Sequence, residues 1–344
     1  MVIYNMIKQI VLVSFLIGSL QQCRPQIELP NNLDGMLLYV EDLDGVGGSA
    51  SGKFSDIVAY DPVNKRQYIL TSDKYYDQHP TYSPQTQKIY FESKREKYNP
   101  SIGLTAPSHL YELDLTTKKI KLLDDDDFRK THSFKEWVDL NRPLINNYGD
   151  KLLFHFLWGD YKNSYDRLML YDLTTKTIGS LFDSLNYSFR YVFYENDSSI
   201  IFQSSLKNGW KEKTNYIAKL EINTKGVIKF IQEKNFENNL GDVKYNKIVY
   251  VSRNFNHSGV ISELYIYDIM NDKIRKIAGV EELGFREIKN PVFENENFIY
   301  FIGSKESINP DTFEEEVYLL NLNTKEMKQI TFTENIKDNL RYYK

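Results

Sequence analysis

HLYELDLTTKKIKLL, residues 109–123, reads as two β-strands joined by a tight turn. Tyr111, Leu113 and Leu115 fall on one side of the first strand, and in the second Ile120 and Leu122 alternate with Lys119 and Lys121, the period of a half-solvated strand. Between the strands stands Asp114, whose carboxylate can accept hydrogen bonds from backbone two residues on, with the Thr hydroxyls doing so more weakly. The unit recurs as DIVAYDPVNKRQYIL, RLMLYDLTTKTIGSL, YIAKLEINTKGVIKF, ELYIYDIMNDKIRKI and EVYLLNLNTKEMKQI. The turn position is then Asp61, Asp172, Glu221, Asp268 and Asn321, so an acidic or amide residue returns each time.

Two further elements repeat around each hairpin. One is a near-continuous apolar run, MLLYVE, KIYFES, KLLFHF, SIIFQS, KIVYVS and FIYFIG, starting at residues 36, 88, 151, 199, 247 and 298. Such runs suit strands covered on both faces. The other precedes most of these runs and is clearest as DQHPTYSP, residues 77–84. Strand, turn, strand, long loop, strand, turn, strand at a period of about 50 residues is the pattern of a four-stranded propeller blade. Six copies predict an all-β, six-bladed propeller. The stretch from Ile330 to Tyr343 aligns with Ile69 to Tyr82, with one residue of slack, so the C-terminal strand is expected to close the ring against the N-terminal blade.

The pattern D-x-x-P-x-Y-S-P, then K-I-Y-F-x-S, then L-Y-x-x-D-L-x-T-K resembles the WD40-like repeat of TolB-type six-bladed propellers, over nearly all of the chain after Cys23. The resemblance implies the fold. TolB itself carries an α/β domain ahead of its propeller, for which residues 25–33 leave no room, and this argues against a role in the Tol system.

The amino-terminal residues differ in kind from the repeats. Lys8 precedes an apolar run over residues 10–20, followed by Gln21, Gln22 and Cys23, the single cysteine of the chain. A basic residue and an h-region of this length read as a secretory signal, too short to span a bilayer comfortably. The position of Cys23 resembles the lipobox of bacterial lipoproteins. The expected organisation is therefore a signal peptide over residues 1–22, a tether over 23–33 beginning at a lipidated Cys23, and the propeller over 34–344. The address is the bacterial envelope, as an outer-membrane lipoprotein facing periplasm or cell surface. A formal net charge of −4 without a basic stripe argues against nucleic acid as a partner.

Several stretches invite a chemical reading. GGSASGK, residues 47–53, has the spacing of a phosphate-binding loop, but Phe54 replaces the Ser or Thr that would reach magnesium, and a strand rather than a helix is expected next. No nucleophile elbow is present, which removes the propeller-bearing peptidase reading. Asp124 to Asp127 lacks the spacing of a calcium loop and reads as a solvated loop. His79, His109 and His132 are placed in or beside loops on one rim of neighbouring blades, and some propeller enzymes, the oligogalacturonate lyases among them, hold a metal with histidines from different blades. No catalytic residue, metal ligand or cofactor is assigned.

Loop length separates the two rims. Tight turns, such as residues 116–118, 174–176 and 294–297, belong to one. Residues 42–55, 94–108, 124–140, 158–166, 205–215 and 304–315 belong to the other, and long loops on a rigid scaffold are where binding residues gather. Trp137, Trp158 and Trp210, with Tyr161 and Tyr165, fall in these long loops and are the expected ligand contacts. The reading adopted is a binding or scaffold module for an envelope protein, peptide or glycan. The alternative is a metal-dependent envelope enzyme, lyase or hydrolase, acting on a polysaccharide.

Overall fold

A computed structural model describes residues 29–42, 54–73, 75–95, 107–132, 139–158, 165–184, 187–206, 214–234, 236–256, 259–306, 313–333 and 335–343. They form six four-stranded antiparallel sheets. Blade 1 orders β24 (Ile336–Tyr342), β1 (Leu37–Asp42), β2 (Ser55–Asp61) and β3 (Arg66–Ile69). Blade 2 holds β4 (Asp77–Ser83), β5 (Lys88–Ser93), β6 (His109–Asp114) and β7 (Lys119–Leu122). Blade 3 holds β8 (Asp139–Ile145), β9 (Lys151–Trp158), β10 (Tyr165–Asp172) and β11 (Thr177–Ser184). Blade 4 holds β12 (Tyr187–Asn196), β13 (Ser199–Leu206), β14 (Thr214–Glu221) and β15 (Val227–Lys234). Blade 5 holds β16 (Phe236–Lys244), β17 (Lys247–Asn256), β18 (Gly259–Asp268) and β19 (Lys273–Gly279). Blade 6 holds β20 (Glu287–Asn295), β21 (Phe298–Glu306), β22 (Phe313–Asn321) and β23 (Met327–Gln329). Two short helices, α1 (Asp126–Thr131) and α2 (Val280–Leu283), lie on connections between blades.

The core is divided as the repeat dictates. Each of six apolar clusters is built between two adjacent blades, the one between blades 1 and 2 from Leu38, Ile57 and Ala59 against Ile89, Phe91 and Leu113. The near-continuous apolar runs are the second strands, such as β1 and β5, buried along almost their whole length because each has a blade on either side. The first strand of each blade faces the axis, and these inner strands touch one another around the ring, β4 against β8 and β20 against β24 among them.

The recurring turn is built as its sequence predicts. Asp114 Oδ1 accepts from the backbone N–H of Thr116 and of Thr117, both at 2.8 Å. Asp61, Asp172, Asp268 and Asn321 repeat the arrangement in other blades. These bonds favour the ionised form, and the acceptor role from Thr117 and Thr116 holds the Asp114 carboxyl below its ordinary range. The turn ends in a left-handed residue, Lys65, Lys118, Lys176, Lys225, Asp272 or Lys325.

A second periodic bond was not visible in the sequence. Thr71 Oγ1 accepts from the N–H of Ile57, Asp124 Oδ1 from Leu110, and Thr331 Oγ1 from Val317, each fourteen residues apart. In each case an oxygen-bearing side chain just past the fourth strand satisfies a backbone donor of the third. Asp124 is therefore buried, and Asp125 caps α1 by accepting from Phe128 N–H. Asp125, Asp126 and Asp127 are exposed, as expected of a solvated loop, but they open a helix, and Asp124 before them is a buried structural carboxylate.

Inner strands carry a bulge. Their register shifts between Gln78 and Thr81, Asn141 and Leu144, Phe189 and Val192, Leu240 and Asp242, and Lys289 and Val292. His79, Arg142, Asn290 and Asn339 occupy left-handed backbone at this place, with φ between 49° and 56°. In blade 5 the position is Gly241, where a Cβ would collide with the carbonyl oxygen and ring of Pro291. The extra residue re-aims the rest of the strand toward the axis.

The ring closes through β24, which pairs antiparallel with β1 over Leu37 to Asp42. Lys337 is fully buried at this seam. Its Nζ donates to the carbonyl oxygens of Glu315 (2.6 Å) and Asn335 (3.0 Å) and lies 3.1 Å from Glu316 Oε2 and 3.8 Å from Glu41 Oε1. One ammonium thus ties β22 of the last blade to β1 of the first. On the opposite side of blade 1, residues 29–33 run against the propeller: Leu33 is buried in the first interblade core, and Lys118 Nζ donates to the carbonyls of Leu29 and Pro30 and to Asn31 Oδ1.

Candidate functional site

The inner strands run from the long-loop rim to the short-turn rim, so their C-terminal ends frame an axial opening on the short-turn side. A cavity of about 640 Å³ lies there, and every blade contributes to its wall. One ring of six residues sets its character. Thr81, Leu144, Phe193, Asp242, Val292 and Arg341 all line it, and each pairs across its blade with the third residue of the apolar run, Tyr90, Leu153, Ile201, Val249, Tyr300 and Leu38 respectively. Tyr82, Tyr194, Tyr245, Tyr342 and Tyr343 surround this ring, with Asn146, Asn147 and Gln85 at its edge.

Two members of the ring are charged and they differ in their surroundings. Asp242 is satisfied: its oxygens accept from the N–H of Val243 (2.9 Å) and Phe293 (3.0 Å), and Lys244 Nζ stands 3.6 Å away. Arg341 instead reaches across the ring to the opposite blade, where its guanidinium carbon lies 4.2 Å from the centre of the Phe193 ring. Burial pulls its pKa below the ordinary arginine range. Tyr343, alongside, accepts from Tyr82 N–H at 3.0 Å, and burial pushes its phenol up.

Deeper in the channel the bulges place a polar layer. Glu92 Oε2 lies 3.2 Å from His79 Nδ1 and accepts from Arg142 N–H at 2.5 Å. Burial pushes the Glu92 carboxyl up, but His79 and the Arg142 amide outweigh it and hold it low. Lys289 pairs with Glu315 at 2.7 Å, and Asp338 accepts from Asn290 Nδ2. Each of these acids finds a partner within the layer.

A second polar cluster sits between blades 1 and 2 toward the long-loop rim. Carboxylate oxygens of Asp56, Asp73 and Asp77 lie within 4.8 Å of one another. Arg95 pairs with Asp73 and with Asp77 (2.5 Å) while stacking near Tyr75, Phe91 and Tyr111. Burial, with Asp77 and Asp73 adding, pushes Asp56 up to about 7, and burial pushes Asp77 up to about 6 against the pull of Arg95 and Ser93. The guanidinium already supplies the cation that such a group of carboxylates would otherwise seek.

The three histidines expected on one rim are not gathered. His79 is in the middle of an inner strand, His109 at the start of β6 with Nδ1 3.0 Å from Asp124, and His132 at the C-terminal end of α1 against Phe128 and Tyr171. Of the expected aromatic contacts, Trp137, Tyr161 and Trp210 lie outside the described residues. Trp158 ends β9 and Tyr165 begins β10 as a cross-strand pair at the long-loop rim, and their side chains lie outside the described set. Cys23 and residues 47–53 lie outside it too. The axial ring was missed by sequence reasoning, and the one hint of it was the Arg341-Tyr342-Tyr343 ending of a strand otherwise matched to DQHPTYSP.

Comparison with solved structures follows the geometry. TolB from Acinetobacter baumannii superposes with a TM-score of 0.61 at 14% identity, covering 91% of this chain and 68% of that one. The fold is that of a TolB-type six-bladed propeller. An oligogalacturonate lyase in complex with manganese matches this TolB-type propeller at TM-score 0.53 and 13% identity, over 86% of this chain and 74% of that one. The β-propeller domain of the Trilobed protease from Pyrococcus furiosus matches at 0.52 and 16%, over 87% and 82%, and has an open velcro topology. Here, by contrast, β24 closes on β1. No family model matches the chain, and no curated protein sequence does. At these identities the likeness concerns the fold.

Proposed function

We propose that this chain is a lipid-anchored propeller of a bacterial cell envelope, acting as a binding or scaffold module for a protein, peptide or glycan. The observation that carries the reading is the axial cavity. Its volume lies within the usual range for ligand sites, roughly 300–1,000 Å³, and its lining mixes apolar strand residues with tyrosines and amides, which combine contact area with adaptable hydrogen bonding. Among the described residues, neither histidine nor cysteine lines it. The TolB-type architecture supports a module that presents a surface, and the Cys23 context supports an envelope address as an outer-membrane lipoprotein.

Peptide and glycan arrays probed with the purified protein test this directly. Asn147 is exposed at the cavity mouth, so Asn147→Trp should narrow the entrance and abolish the array signal. Binding that survives this change would remove the axial cavity as the site. The anchor has its own test: Cys23→Ser should move the protein to the soluble fraction, and a variant that stays membrane-bound would remove it. The alternative, a metal-dependent enzyme acting on polysaccharide, draws on the likeness to the manganese-bound lyase. Stoichiometric manganese, zinc or calcium in purified protein would select it.

A further inference from the structure

Pseudo-sixfold repetition makes exceptions conspicuous. Around the axial ring four positions are Thr81, Leu144, Phe193 and Val292, small or apolar, and Asp242 is satisfied by two backbone amides and the nearby Lys244. Arg341 alone extends a long cationic side chain across the opening. Among the described residues no carboxylate lies within ion-pair distance of its guanidinium. What holds it is the face of Phe193, a contact that positions the planar group without using up its N–H donors.

Asp242 of the same ring attracts the guanidinium only from a distance, and a half-buried cation with no carboxylate in contact is costly to keep unless something supplies that contact. Lys337, buried four residues earlier on the same strand, shows how this chain treats such a group when its role is structural: it surrounds the ammonium with carbonyls and glutamates. Arg341 receives no such shell. Its surroundings are the tyrosines and the apolar ring residues of a cavity open to the short-turn rim, with Asp242 and Glu195 elsewhere on the wall and neither in contact with it.

We propose that Arg341 is the anchor of a carboxylate-recognition site, in which a peptide carboxylate entering the axial cavity forms a bidentate pair with the guanidinium. This rests on the axial-cavity reading above and names the chemistry it selects. Bidentate arginine–carboxylate pairs join energy to geometric specificity. A peptide is favoured over an acidic sugar because Leu144, Ile145, Val243 and Val292 give the walls apolar area that a peptide's side chains can cover, while the tyrosines and amides remain for its backbone groups.

Calorimetric titration of the full chain with an acetylated apolar tripeptide, Ac-Ala-Leu-Phe, tests the assignment with the peptide as free acid and as C-terminal amide. The free acid is expected to bind, and the amide to bind at least about tenfold more weakly. Arg341→Gln should weaken the free acid by about 10- to 100-fold and make acid and amide equal. Arg341→Lys should restore part of the discrimination. Should the Gln variant fail to fold, the acid-versus-amide difference in the unaltered protein and the partial effect of Lys still decide. Equal affinity for acid and amide in the unaltered protein overturns the assignment while leaving the cavity as a binding site. Binding of galacturonate in place of the peptide overturns the choice of a peptide, and binding of none of the three overturns the site, with the Asn147→Trp array experiment judging the cavity separately.

Discussion

Replacing Lys337 by Met should loosen the ring at its seam. The ammonium is fully buried and donates to two carbonyls while facing Glu316 at 3.1 Å and Glu41 at 3.8 Å. Methionine fills a similar volume but leaves two buried carboxylates facing each other and two carbonyls without a donor. Breaking a buried pair by removing one partner typically costs about 3–5 kcal/mol. For a domain of this size, that corresponds to a fall of roughly 5–10 °C in melting temperature. Differential scanning calorimetry of the full chain reads the change directly. The cost comes from the orphaned acids, so adding Glu316→Gln should recover part of it. A K337M protein that melts with the unaltered one would show that the seam does not depend on the ammonium, and the argument would fail.

Removing residues 338–344 takes away most of β24 and leaves β1 without its partner, an exposed edge that a closed ring avoids. An unchanged melting temperature in that truncation would refute closure as a source of stability. Asp56 has a folded-state pKa of about 7 against an ordinary value of 3.8, so the folded protein binds its proton more tightly than the unfolded chain and stability should decline as pH rises through that window. Asp56→Asn should then be more stable than the unaltered protein on the alkaline side and lose the advantage in mild acid; parallel stability curves would count against the assignment. Trp158→Ala tests the long-loop rim, where an aromatic patch with Trp137 and Trp210 is proposed. Normal binding by that variant of the ligand found by the arrays would remove the patch.

The hairpins and second strands were legible because their periodicity is unbroken: alternation in KIKLL and continuous apolarity in KIYFES both survive into the sheets. Inner strands hid their roles. A bulge with a left-handed residue shifts the register midway, so an alternation read before His79 or Asn290 assigns the residues after it to the wrong face. That is why Arg341, Asp242 and Thr81 could not be recognised as one ring. Lys337 was opaque for another reason. It stands where blade 2 has the buried Asp77, and the reversal of charge becomes intelligible only when the glutamates of blades 1 and 6 are seen beside it. The acids at 124–127 misled because composition alone cannot distinguish a solvated run from a capped helix with one structural carboxylate.

Lys118, gripping the carbonyls of Leu29 and Pro30 from a short turn of blade 2, fixes where the amino-terminal segment leaves the ring. From Cys23 to Leu29 is six residues, a leash of at most about 20 Å when fully extended. If Cys23 is the anchor proposed above, that leash would hold the short-turn rim close to the bilayer and turn the long loops away from it. The axial cavity would then open into a shallow gap between propeller and lipid, reached from the side, and a ligand would have to be slender to enter there. Leash length becomes a gate: lengthening residues 24–28 should admit bulkier ligands without altering a single residue of the ring.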